Sequence, residues 1–153
     1  MLASQPTSTS HPVAWVVDSG ATHHMCNDRE AFRKNSLGPA RATVRLGDMT
    51  SLTVKQQGVV AVNGVDLKAL FIPEFRVSLL SVAQLDAARL MTSFANRECT
   101  ISDLAGITFI QARLSDGLYR VSGAASDAGA LIAVENTSLS ARALVAIAAA
   151  RRY

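Results

Sequence analysis

The run Trp15-Val16-Val17-Asp18-Ser19-Gly20-Ala21-Thr22 takes an apolar stretch directly into an acid, a hydroxyl and a glycine. These residue types can form half of a site that hydrolyses a peptide bond without a metal. Two carboxyl groups about 3 Å apart share one proton. The ionised partner takes a proton from water, and the protonated one polarises the amide carbonyl. Asp18 supplies one carboxylate. The Ser19 hydroxyl can brace the turn by hydrogen-bonding across to a partner loop. Gly20 has no side chain, so its N–H can approach the carboxylate and favour the charged form. Residues 15–17 would wall the site from water. The chain holds one such triplet where the chemistry needs two, and a lone Asp-Ser-Gly after a strand also reads as an ordinary turn.

Short β signals surround this run. Residues 13–17 form a continuous apolar strand of the kind buried on both faces. Asn27 to Glu30 could open a short helix holding Ala31 and Phe32. Alternation over 42–46 and 51–54, with Gly47-Asp48-Met49-Thr50 between, predicts a hairpin. Strands over 58–62 and 67–72 are joined by Asn63-Gly64, a strong hairpin signal, and Pro73 closes the second. Val77-Ser78-Leu79-Leu80 is another buried strand, and Ser81 can cap a helix from Val82 to about Arg89. Four further strands are expected at 92–94, 99–102, 108–111 and 118–121, with Asp103 and Gly106 in a turn. Residues 1–12 read as a disordered lead-in, 13–122 as the folded domain, and 123–153 as a linker and an Ala-rich, helix-prone tail.

Bulk properties narrow the options. The 153 residues are 49% hydrophobic but only 5% aromatic, so the core must be aliphatic. A net charge of +3 is too weak to argue for nucleic-acid binding. Two cysteines, Cys26 and Cys99, do not make a disulfide framework and are expected as free thiols in a reducing compartment. No stretch reaches the length of a membrane span, and the N-terminus lacks the features of a signal peptide. The expectation is a cytoplasmic or particle-associated protein with no membrane partner.

Six segments in order resemble the protease region of copia-type retrotransposon polyproteins. They are WVVDSGATHHM (15–25), VRLGD (44–48), LFIP (70–73), VSLLSVAQL (77–85), CTISD (99–103) and SDGLYR (115–120). The resemblance implies a small closed retropepsin-like β-barrel with one or two short helices. It implies that Asp18, with Ser19 and Gly20, is the catalytic triplet, and that Gly47, Asp48, Met49 and Thr50 form a flap tip over a peptide substrate. Ala21, Leu79, Leu80 and Ser81 would support the active-site loop. The implied activity is an aspartic endopeptidase that cuts its own polyprotein, uses no cofactor, and takes its second carboxylate from Asp18 of a second copy in a homodimer. A bilobal enzyme would need about twice this length. The rival expectation is a catalytically inactive relic, a β-barrel kept as a structural or interaction module.

Two departures from that pattern stand out. Met49 replaces a common flap glycine, and no Leu-Trp-His-type motif follows Gly123; Ser81 departs only from the wider retropepsin group, which has glycine there, since copia-type sequences commonly have serine. By that comparison the chain reads as a fragment or relic. Other constellations carry less. His23, His24 and Cys26 are too few for a zinc site, and adjacent histidines on an extended backbone point apart, so no metal is expected. Arg29, Arg33, Lys34, Arg41 and Arg45 lack the interleaved aromatics of a single-strand binder and read as a solvated face.

Overall fold

The computed structural model describes residues 13–123, all in one mainly β unit. The chain runs through β1 (Trp15–Asp18), β2 (His24–Cys26), a 3₁₀ turn (Arg29–Ala31), β3 (Gly38–Arg45), β4 (Ser51–Val62), β5 (Val65–Phe71) and β6 (Ser78–Ser81). Helix α1 (Val82–Ala87) follows, then β7 (Met91–Ala95), β8 (Glu98–Ser102), β9 (Thr108–Ser115) and β10 (Leu118–Val121). All ten strands share one sheet in the order β3-β4-β5-β2-β6-β1-β10-β9-β8-β7.

β1 lies inside this sheet, paired in parallel with β6 and antiparallel with β10. Its four residues are all buried, as are the four of β6, so neither shows the alternation of a half-exposed strand. Successive side chains go to opposite faces. Trp15 and Val17 join one cluster with Val60, Leu80, Leu85, Ile101 and Ile110. Val16 joins the other with Ala21, Met25, Val44, Val54, Leu70 and Leu79.

Local chemistry explains most of the elements. Asn63 (φ 46°) and Gly64 (φ 82°) both take positive φ between the paired Val62 and Val65, the two-residue turn expected there. Asp116 (φ 50°) and Gly117 (φ 77°) repeat the device between Ser115 and Leu118. Ser81 caps α1, its Oγ accepting from Gln84 N–H at 3.2 Å. Asp103 holds the next turn, its Oδ1 accepting from the Ala105 and Ile107 N–H groups at 2.9 Å each.

Several expectations are corrected. No ladder joins β3 to β7 among the described residues, so the sheet is open rather than a closed barrel. The β3 edge explains part of this, because Pro39 has no N–H and the register shifts between Pro39 and Ala42, both of which interrupt pairing. The hairpin strand at 51–54 and the separate strand at 58–62 are one twelve-residue strand, β4. It stays continuous because Gly58 lets it pass close to Phe32 and Ser36. The helix expected from Asn27 is only a 3₁₀ turn with Asp28 as its cap. α1 ends at Ala87, short of Arg89, which takes a positive φ of 60°. β2 had no counterpart in the sequence reading. The lead-in and the helix-prone tail lie outside the described residues.

Candidate active site

Asp18 is the last residue of β1, and the ladder places it opposite Ser81, the last residue of β6. Two strand ends 63 residues apart in the chain thus meet at this loop. Asp18 is only 4% exposed. Gly20 N–H donates to Asp18 Oδ1 at 2.7 Å, a contact that favours the ionised form. Gly20 and Ala21 are buried, whereas Ser19 and Thr22 face solvent.

The loop is tied to the β6–α1 junction at two points, and the first residue of β2 is tied there at a third. Ser81 Oγ donates to the Ala21 carbonyl at 2.6 Å while also capping α1. Gln84 Nε2 donates to the Thr22 carbonyl at 2.9 Å. Ser81 N–H donates to His24 Nδ1 at 3.0 Å. Leu79 and Leu80 are fully buried beneath on opposite faces, Leu79 with Ala21 and Leu80 with Val17. The structure therefore brings Asp18, Gly20, Ala21, Leu79, Leu80 and Ser81 together. The sequence reading had no role for His24 or Gln84. Their contacts to the loop and the junction span 57 and 62 residues, and no local pattern announces them.

His24 is 4% exposed. Burial first, and the neighbouring His23 second, lower its pKa from 6.5 to about 4. At neutral pH the ring is uncharged, and because Nδ1 accepts from Ser81, its proton sits on Nε2. His23 points the other way and is exposed, its Nδ1 3.1 Å from Thr22 Oγ1. Cys26 is buried beside them, and its thiol pKa is raised mainly by burial. Among the described residues, no group of three or more His, Cys, Asp and Glu side chains is placed to hold a metal ion.

Residues 46–50 form the tip of the β3–β4 hairpin. Leu46 N–H donates to Thr50 O at 2.7 Å, and Thr50 N–H donates to Asp48 Oδ1 at 2.9 Å. Gly47, Asp48, Met49 and Thr50 are all exposed, while the hairpin's Val44 and Val54 are buried in the cluster that holds Ala21. One apolar cluster therefore supports both hairpin and loop. Two of the basic residues at 29–45 have side-chain partners. Arg29 hydrogen-bonds Gln56 and lies over the Phe71 ring, and Arg33 pairs with Asp66. No helix among the described residues is long and apolar enough to cross a membrane.

One carboxylate in this setting can hold a proton or accept a hydrogen bond. It cannot by itself both activate a water and polarise a carbonyl.

The comparisons with known proteins agree with this architecture. Residues 15–90 match the family described as Pol polyprotein, beta-barrel domain, so the match ends just before β7. The chain is 27% identical over 126 residues to the Retrovirus-related Pol polyprotein from transposon RE2 of Arabidopsis thaliana, covering 78% of this chain and 9% of that protein. It is 32% identical over 83 residues to the "Putative transposon Ty5-1 protein" of Saccharomyces cerevisiae, covering 54% of this chain and 56% of that one. The chain thus spans a small part of the first relative's length and about half of the second's. It is similar to retrotransposon Pol polyproteins, and the similarity to their beta-barrel domain spans residues 15–90.

Proposed function

We propose that the chain is a retropepsin-like aspartic endopeptidase of a copia-type element, active as a two-fold dimer on its polyprotein in the cytoplasm. The observation that supports this reading best is the setting of Asp18. The carboxylate is buried at a strand end, receives the Gly20 N–H, and sits on a loop held from behind by Ser81 and Gln84. A rigid loop with a desolvated acid is what a shared-proton dyad requires of each half. The second half is Asp18 of another copy, since a two-fold axis repeats the same residue across the interface. The exposed residues Gly47 to Thr50 would close over the peptide.

The test is processing of the 153-residue chain fused to a family-type cleavage junction, compared with Asp18→Asn. Cleavage by the parent is expected to be greatest near pH ~5–6, where one carboxyl of the pair is protonated. The Asn variant is expected to lose it by at least ~1000-fold, because no ionised base remains. Equal processing by both versions would end the protease reading.

A second reading, a non-catalytic β module, is favoured by one observation. The described residues hold a single Asp-Ser-Gly triplet, and one carboxylate by itself cannot both activate a water and polarise a carbonyl. Sedimentation as a monomer at high concentration, without cleavage, would support the module.

A further inference from the structure

β2 and β6 pair at only one register position, Met25 with Leu79. Two residues further along β6, Ser81 turns into α1, and its N–H is met by a side chain, His24 Nδ1, at 3.0 Å. The imidazole takes over where the backbone ladder stops. Burying a polar ring costs free energy unless it is hydrogen-bonded, so an apolar residue would serve β2 better if packing were the only demand. The same Ser81 holds the Ala21 carbonyl through its hydroxyl. A shift of Ser81 therefore moves the support of the Asp18 loop.

We propose that His24 is the positioning residue of the Asp18 loop: by accepting the Ser81 N–H it fixes the β6–α1 junction against which residues 18–22 are held. Its bearing on catalysis rests on the dyad reading above, whereas the hydrogen bond does not. Protonation of Nδ1 removes the acceptor and releases Ser81. The charged groups near the ring are few. β6 carries none, β5 offers Asp66 and Lys68, both exposed, and β1 offers Asp18 across the ladder from Ser81. α1 offers only the exposed Asp86, and His23 is the neighbour that shifts the ring electrostatically.

The linkage has a definite sign. Between pH 6.5 and about 4 the unfolded chain binds a proton at His24 that the folded chain does not. Stability should therefore fall as pH falls through that window and level off below it.

The test is amide hydrogen exchange at Ser81 in the full 153-residue chain, with the His24 tautomer read from ring ¹⁵N shifts. The expected result is a neutral Nε2–H ring at pH 7 and a protected Ser81 amide that loses protection as His24 protonates. His24→Asn keeps an acceptor near the Nδ1 position but does not titrate, so it should retain protection and abolish the pH step. His24→Leu should speed Ser81 exchange roughly five- to tenfold, the loss of about one hydrogen bond. Unchanged Ser81 exchange in His24→Leu, or an unchanged pH step in His24→Asn, overturns the proposal. If His24→Leu does not fold, the parent titration and the Asn variant decide alone. Cleavage assays run in parallel separate the two readings. A Ser81 amide that follows His24 in a chain that never cleaves keeps the clamp and ends the protease. Cleavage with a Ser81 amide indifferent to His24 does the reverse.

Discussion

Met49 is the most exposed of the large apolar side chains among the described residues, at 87%, and its φ of 70° lies in the left-handed region. A non-glycine residue there costs roughly 1 kcal/mol, which glycine avoids, although glycine also gains freedom in the unfolded chain. Met49→Gly is expected to be neutral or to stabilise by up to ~1 kcal/mol in a denaturant titration. It should also raise the peptide cleavage rate if flap closure limits turnover. The position of Met49 in a turn could be seen in the sequence, because Gly47 and Asp48 precede it. The Asp18-Ser19-Gly20 turn was equally visible, since its contacts are local and Gly20 N–H reaches back only two residues. The support behind that turn was not. Ser81 reads as a helix cap from its neighbours, but its grip on Ala21 and His24 exists only after β1 and β6 have met.

Among the elements, β4 depends most on one small residue. A Cβ built on Gly58 would lie 2.8 Å from Phe32 Cδ1 and 2.9 Å from Ser36 Oγ. Ser36 is not free to withdraw, because its hydroxyl also engages the Val59 N–H at 3.1 Å and the Val59 carbonyl at 3.3 Å. Phe32 is buried and meets Phe71 edge-on at 5.7 Å. Gly58→Ala is therefore expected to cost about 1–3 kcal/mol, the usual penalty of overpacking, read as a lowered denaturation midpoint. Strands with turn chemistry at their ends were readable one by one, as at Asn63-Gly64 and Asp116-Gly117. β2 was not, because His-Met-Cys carries no alternation and no turn signal. It is a strand only because β5 and β6 arrive on either side of it. The continuity of β4 through a glycine was hidden for the same reason.

At the scale of the molecule, the two edges of the open sheet differ. β3 is guarded by Pro39, Arg41, Arg45 and a register break. β7 (MTSFA) has no charge, no proline and no break in its register, and it exposes Met91 and Phe94. An unguarded edge invites pairing with another strand. Ser93→Lys is expected to reduce association beyond the dimer in sedimentation, because β7 is an outer edge, the fourth strand out from β1. Closure of the barrel was the expectation that failed, and it could not be read from local pattern. Whether two edges meet depends on accumulated twist, not on any single strand. The central place of β1 has a consequence for the order of assembly. Its partners are Ser78–Ser81 and Tyr119–Arg120, so the earliest of the described strands in chain order is among the last to be fully paired. Contacts of such sequence separation form slowly. Asp18 reaches its finished surroundings only after the chain has been made to Arg120, which delays the onset of any activity until the whole unit has been synthesised.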